Sequence, residues 1–389
     1  MIFIIVLKKK PHFQTRRRPL VEYSTINFSQ HLLLICNNEN DGDVSEVLLN
    51  SFKYNLTLYT ASVNDFFLCL LCVFPLIQNT KHSILKPMNI NVFEMPLDLG
   101  ASRHGSDMGP SAIRLAGLKE KLAELGHTIT KSQCPIEQHP QEYEEPGNPK
   151  AKYLPIITKA CEQLAEKVEE SALNQNFPII LGGDHSIVLG SLAGMSAACK
   201  KLGKTLGVLY VDAHGDFNTC ETTLSGNIHG MCLSGSCGYG IPELTNLYFQ
   251  GAKVDPKNVC YVGLRDIDPK EKLLMKEAGV TAYTMSHIDR TGFHHIMEQV
   301  KDFFKNKVDY IHISFDMDCI DPQFAPGVGI QIPGGLNYRE ALLLMEEMSE
   351  TNMVKSCDIV EVNPVLDLRN QTATMAVKLL ARLLGEKLF

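Results

Sequence analysis

The sequence predicts an α/β protein built on a mostly parallel sheet of about eight strands. Three observations carry this. Short apolar runs of strand length alternate about eight times with longer stretches of amphipathic spacing, the pattern of strands joined by helical crossovers. Three of those runs, 177–181, 206–211 and 308–313, are followed at once by Asp and His residues. Neither internal repeats nor low-complexity segments interrupt the alternation. Periodicity by itself leaves an open sheet and a closed barrel as alternatives. Both architectures place their sites at the carboxyl ends of strands, where the ionisable clusters fall.

Of the 389 residues, 44% are apolar and 21% charged, ordinary values for a soluble globular protein. The length suits one large domain or two to three smaller ones. A net charge of −7 gives no sign of a nucleic-acid or anionic-membrane partner. The twelve cysteines follow no repeated spacing. The one Cys-x-x-Cys, Cys69 to Cys72, sits in an apolar run without a nearby His. The set reads as reduced, buried fillers of a cytoplasmic protein.

Residues 1–87 differ from the rest. Apolar Met1–Leu7 precedes Lys8–Lys10 and Arg16–Arg18, the reverse of a secretory signal. The apolar run 66–77 is too short to span a bilayer. The expectation is a leader over 1–87, unordered or a mistaken upstream start, ahead of one catalytic domain over 88–389. The leader holds nine basic and six acidic residues, which leaves 28 basic and 38 acidic in the body. An acidic body suits a cationic ligand.

Within the body, Ile90–Met95 reads as strand. Pro110, with Ile113, Leu115, Leu118 and Leu122, marks one amphipathic helix. His127–Lys131 is a weak strand, Gln138–Pro149 a polar surface loop and Leu154–Leu173 a long helix. A helix to about Leu202 separates the first two acidic strand ends. Asn258–Gly263 and Val280–Tyr283 read as strands, and His287–Lys305 as a helix before the third acidic strand end. Asn337–Glu350 is helix, Ser356–Val362 strand and Asn370–Leu388 a closing helix. His104, His294 and His295 read as structural or surface groups.

The chemistry lies at the strand ends. Asp212, His214 and Asp216 alternate, so an extended chain would turn them to one side. Ionisable groups at the end of a buried strand are costly unless a cation pairs with them. His185, in Gly182-Gly183-Asp184-His185-Ser186, and Asp316 and Asp318, in Ser314-Phe315-Asp316-Met317-Asp318, bring the candidate ligands to six. Two imidazoles and four carboxylates favour a hard, roughly octahedral ion such as Mn²⁺. Six ligands suit two ions bridged by shared carboxylates.

These three motifs together resemble the signatures of the ureohydrolase family, the arginases and agmatinases, over about 88–389. The pattern from Asp98 to Arg114 resembles that family's amino-terminal motif. The resemblance implies an open, doubly wound sheet in a single three-layer α/β/α domain. It implies two Mn²⁺ per subunit, bridged by Asp212 and Asp316, with His185 and Asp216 on one ion and His214 and Asp318 on the other. A metal-bridging hydroxide then attacks a guanidinium carbon and releases urea. His229 matches the family's proton shuttle, and Glu361 the residue that orients the guanidinium. Asn218, Thr223, Ser225 and Asn227 match positions near a substrate α-carboxylate, and Asp268 and Glu271 those near an α-amino group. As a set they look most like arginase, which converts L-arginine and water to L-ornithine and urea. An agmatinase or another guanidino-compound hydrolase is the alternative, and a metal-poor homologue acting through binding is a third. The implied partner is a small guanidino molecule, with no nucleic acid or membrane, in a homo-oligomer of three or six subunits. Two positions depart from the family: Ile330 stands where arginases have Thr, and Gly215 replaces a polar residue, which is expected only to free the backbone.

Overall fold

The computed structural model describes residues 86–136 and 143–387 with their side chains. The chain divides into two units, Met1–Thr80 and Lys81–Phe389. The expectation for the leader, and its Cys-x-x-Cys, lie outside the described residues.

The second unit is organised by β1 (Asn89–Met95), β2 (Thr128–Gln133), β3 (Phe177–Gly182), β4 (Leu206–Val211), β5 (Val259–Leu264), β6 (Thr281–Thr284), β7 (Tyr310–Asp316) and β8 (Val354–Val360). They form one parallel sheet in the order β6-β5-β4-β7-β8-β3-β1-β2. The sheet ends in two edges and is therefore open, which resolves the alternative that periodicity left standing. Every residue of β3, β4 and β5 is buried. Helices cover both faces, so these strands read as continuous apolar runs rather than alternating ones.

The helices are α1 (Gly109–Leu115), α2 (Leu118–Glu124), α3 (Leu154–Leu173), α4 (Val188–Leu202), α5 (Pro269–Ala278), α6 (Met285–Thr291), α7 (Phe293–Phe304), α8 (Tyr338–Glu350) and α9 (Gln371–Leu383). Two short ones, Cys232–Ser236 and Pro242–Thr245, lie between β4 and β5. Apolar residues of α3, α4 and α5 join one core layer. Those of α1, α2 and α6 to α9 join the other. The result is the three-layer α/β/α arrangement expected.

Two expected helices are each broken in two. Gly117 and Gly292 take φ of 91° and 88°, and one helix ends and another begins around each. Only glycine adopts this region without strain. The first break leaves Leu115 83% exposed, although its spacing matched the buried stripe. The expected strand Ser356–Val362 ends instead at Val360, and the helix from Asn370 stops at Leu383.

The helix that follows His185 sets that residue's position, and glycines set the helix. A Cβ on Gly190 would lie 2.6 Å from the Cys161 carbonyl oxygen, and one on Gly194 2.5 Å from that of Ala165. The backbones of α3 and α4 touch there. Gly194→Ala improves helix propensity by up to ~1 kcal/mol, but overpacking of this kind costs about 1–3 kcal/mol. The overpacking should win, so urea unfolding should show net destabilisation; a stabilised variant would refute the close packing.

Candidate active site

Four neighbouring strands, β4, β7, β8 and β3, deliver the site. Val211 pairs with Phe315 and Asp316 with Val360. Asp212, Asp316 and Glu361 therefore leave the sheet side by side. His185 opens a 3-10 turn, His185–Ile187, that runs from β3 into α4.

Turns, not an extended strand, aim the carboxylates. Asp184, Asp212 and Asp316 each accept the backbone N–H two residues on: Ser186 at 2.8 Å, His214 at 2.7 Å and Asp318 at 2.7 Å. This Asx turn fixes one carboxylate oxygen. In Asp212 and Asp316 the other oxygen faces the cluster. Asp216 lies at φ 49°, so its approach depends on a left-handed residue rather than on strand alternation. Strand alternation predicts that Asp212, His214 and Asp216 converge, but turns and a left-handed residue are what bring them together.

The six groups converge. His185 Nδ1 lies 3.0, 3.2 and 3.1 Å from the Oδ2 atoms of Asp212, Asp216 and Asp316. His214 Nδ1 lies 3.0 Å from Asp318 Oδ2 and 3.5 Å from Asp212 Oδ1. Yet His185 Nδ1 and Asp212 Oδ2, both buried, are not aligned to hydrogen-bond. Atoms this close that do not donate to one another could share a cation. Two groups could each hold an ion, His185–Asp212–Asp216 and Asp212–His214–Asp318, and Asp212 belongs to both.

On the protein's own charges the cluster is frustrated. Burial, with Asp216 and Asp318 nearby, raises the Asp212 carboxyl to about 6. Burial, with Asp318 and Asp212, holds Asp316 well above the usual range. Burial opposes charge on His185 and His214, but the surrounding carboxylates outweigh it and raise both. Ionised, the four carboxylates carry a charge that two divalent cations would balance.

Neighbours hold the ligands still. His185 Nε2 lies 2.8 Å from Ser314 Oγ, so an Nε2–H donor leaves Nδ1 free to face the carboxylates. The Tyr210 ring stacks on His185, centroids 4.6 Å apart, and its hydroxyl donates to Asp216 at 2.8 Å. Sequence reasoning missed both. The available signal was their place two residues before Asp316 and Asp212, on the same strand side. Gly215 has a definite role: a Cβ there would meet Glu271 Cδ at 2.8 Å and Met275 Sδ at 2.9 Å. It gives Glu271 room, rather than only freeing the backbone.

Glu361 sits just past β8 at φ 61°. A non-glycine residue there carries strain of order 1–3 kcal/mol, and such strain gathers at functional sites. Its Oε1 accepts the His185 backbone N–H at 3.0 Å and lies 3.1 Å from His229 Nδ1. Burial opposes charge on His229, but Glu361, Asp216 and Asp184 outweigh it and raise its pKa to about 9.

The remaining candidates divide. A cavity of about 210 Å³ at the cluster is lined by Asn218, Ser225, Asp268, Glu271 and His229 among others. Asn227 lines an adjoining cavity instead. Thr223 lines neither: it is buried, and its hydroxyl accepts the Gly226 N–H at 3.0 Å. Asn218 donates to Asp268 at 3.1 Å. Glu271 accepts the N–H groups of Phe217 and Asp268, at 2.8 and 3.1 Å. His104, 3.3 Å from Asp98, and the exposed His294 and His295 stand outside the cluster. The nine described cysteines are free, seven of them buried. No helix among the described residues is long and apolar enough to cross a membrane.

An open α/β/α sheet with paired His–Asp groups at the carboxyl ends of its central strands defines an α/β protein with a candidate metal centre. The family model for the arginase family matches residues 88–385. The arginase of Bacillus caldovelox is 44% identical over 305 residues, spanning 78% of this chain and all of the relative. That of Bacillus subtilis strain 168 is 44% identical over 300 residues, 77% of this chain and 98% of the relative. The crystal structure of arginase from Bacillus cereus aligns with a TM-score of 0.71 at 43% identity, covering 77% of this chain and all of that one. Proclavaminate amidino hydrolase from Streptomyces clavuligerus, at 22% identity and TM-score 0.58, shares the fold. The chain belongs to the arginase family.

Metal removal gives a signed prediction. Asp212, Asp184 and Glu271 have folded-state values of about 6, 6 and 7, above their ordinary 3.8, 3.8 and 4.5. The folded state therefore binds these protons more tightly than the unfolded state, and stability falls as pH rises from about 4 through 7. His229, raised from 6.5 to about 9, acts in the same direction: its stabilisation is complete below 6.5 and is lost as pH rises through 9. Chelator-treated protein should melt at lower temperature at pH 8 than at pH 5. Mn²⁺ should restore Tm by on the order of 10 °C, most at the higher pH, since ligands bind metal deprotonated. Calorimetry at both pH values, with and without chelator, checks this; an unchanged Tm on chelation would remove the metal reading.

Proposed function

We propose that the chain hydrolyses L-arginine to L-ornithine and urea with two Mn²⁺ per subunit. The observation that carries the reading is Asp212 shared by two ion-holding groups, with His229 and Glu361 paired at their margin. The relatives named arginase support the choice of substrate.

Asp212 and Asp316 would bridge the ions, His185 and Asp216 would complete one shell, and His214 and Asp318 the other. Bound there, the ions would supply Lewis acidity and an acidified water. Glu361 would bind the substrate guanidinium in a planar, charge-assisted pair. The guanidinium would thereby replace His229 as Glu361's partner. His229, no longer held near 9, would then give up its proton more readily, and the leaving amine needs one. The strained Glu361 backbone keeps the carboxylate at the cluster before substrate arrives.

Ile330 favours keeping a second reading, agmatine or another guanidino compound. It is 40% exposed and lines the cleft beside Glu361, where the family's Thr would offer a hydroxyl. Urea release from L-arginine and from agmatine, with and without Mn²⁺, separates the two; neither reading survives if no urea forms.

His229→Asn should retain both ions and lower kcat by ~10²–10⁴-fold, the range for positioned acid–base groups. Metal analysis beside steady-state kinetics checks this, and lost metal would make His229 a ligand instead. Asp316→Asn should lose most bound Mn²⁺ and activity, because a neutral amide cannot balance two cations; full occupancy with normal turnover would end its bridging role.

A further inference from the structure

We infer that Asp184 is a positioning residue for His229: its carboxylate holds the Gly100 backbone, and the Gly100 carbonyl holds the His229 N–H at the cleft. The inference rests on the reading above in which His229 supplies a proton, and it names what fixes that group in place.

Asp184 is fully buried beside His185, yet it belongs to neither of the two groups that could hold an ion. Both of its oxygens accept backbone N–H groups. Oδ1 takes that of Ser186 at 2.8 Å, within its own turn. Oδ2 takes that of Gly100 at 2.7 Å, across 84 residues of chain. A buried carboxylate is costly, and a neutral Asn or Ser would serve the turn alone. The second oxygen is what the long-range contact uses.

Gly100 passes the constraint on. Its carbonyl oxygen accepts the His229 N–H at 3.2 Å. His229 opens a 3-10 turn, His229–Met231, and the side chain of Ile228 before it does not cap that turn. The first N–H groups of a helix have no partner within it, so Gly100 supplies the missing acceptor. The approach is close. A Cβ on Gly100 would lie 2.6 Å from Asp184 Oδ1 and 2.8 Å from Ser186 Oγ, so no side chain fits between the carboxylate and the loop. The Gly183 and Asp184 N–H groups donate to the Met95 and Leu97 carbonyls, both at 2.8 Å, and seat the start of the same loop. Two residues past Gly100, Asn227 Nδ2 donates to Ser102 Oγ at 2.8 Å. The loop after β1 therefore spans from the residue beside one imidazole to the segment that carries the other. The His229 ring must meet Glu361 at 3.1 Å, so a shift of its backbone moves the proton donor directly. A misplacement of about 1 Å can cost ~10²-fold in rate.

Two variants strain the link from opposite sides. An amide has one acceptor oxygen where a carboxylate has two, so Asp184→Asn abandons one N–H partner. Gly100→Ala pushes on the same contact and leaves Asp184 in place. In Mn²⁺-loaded full-length protein each should lower kcat ~10–10²-fold, with KM and bound Mn²⁺ near wild type. In a His229→Asn background neither should lower kcat further, because the group they position is gone. A full additional loss there would mean that they act elsewhere, and overturns the inference. Hydrogen exchange needs no turnover: peptides covering His229 should exchange faster in both variants, and those covering Asp318 should not. Unchanged exchange at His229 overturns the inference, and lost Mn²⁺ with unchanged exchange there would mean that Asp184 serves His185 alone. If wild type releases urea from no guanidino substrate, yet exchange at His229 still depends on Asp184 and Gly100, the functional reading fails and the positioning link stands.

Discussion

Four buried carboxylates held within reach of two imidazoles are the constraint on which the rest of this structure depends. Asp212, Asp216, Asp316 and Asp318 are each less than a tenth exposed. Packing like charges together away from water is among the most costly arrangements a protein can adopt. It persists here because the sheet leaves the side chains little else to do. Asp212 and Asp316 leave neighbouring strands in register, and each has one oxygen tied into its own turn. A cation could resolve the frustration, which would make the cluster both a binding site and a stored destabilisation that binding releases.

The sheet topology explains how distant segments meet. The chain builds β1 to β3 on one side and β4 to β6 on the other, then places β7 and β8 between them. The last two strands therefore close the middle of the sheet and bring in Asp316, Asp318 and Glu361. Close backbone contact fixes the remaining position. A Cβ on Gly183 would lie 1.9 Å from the Leu97 carbonyl oxygen, so the segment before His185 lies directly against the loop after β1. Helix α4, seated on α3 through Gly190 and Gly194, holds His185 from the other side.

In the proposed function, the pairing of Glu361 with His229 would link binding to proton supply. One carboxylate steadies His185 through its backbone N–H and His229 through its ring. Under the proposed function, a guanidinium displacing His229 from this carboxylate would change the charge on the proposed proton donor as it bound. Recognition of the substrate and readiness of the acid would then be one electrostatic event, set by a residue whose own backbone is strained.

Much of this was legible in the chain itself. Apolar runs ending in Asp and His located β3, β4 and β7 and all six cluster residues, because burial on both faces and metal-type ligands each leave local marks. Helix breaks at Gly117 and Gly292 were not legible, since an isolated glycine inside an amphipathic pattern does not declare its φ. The strand order, the left-handed backbones of Asp216 and Glu361, and the hydroxyls of Tyr210 and Ser314 behind the ligands came only with the tertiary structure. So did the difference between Ser225, which lines the cleft, and Thr223, which does not. The sequence determined which six residues meet in the cluster, because residue type and spacing are local properties. The fold decided which atoms face one another, because distances between segments as far apart as His185 and Glu361, 176 residues, depend on strand register and close packing that no local pattern records.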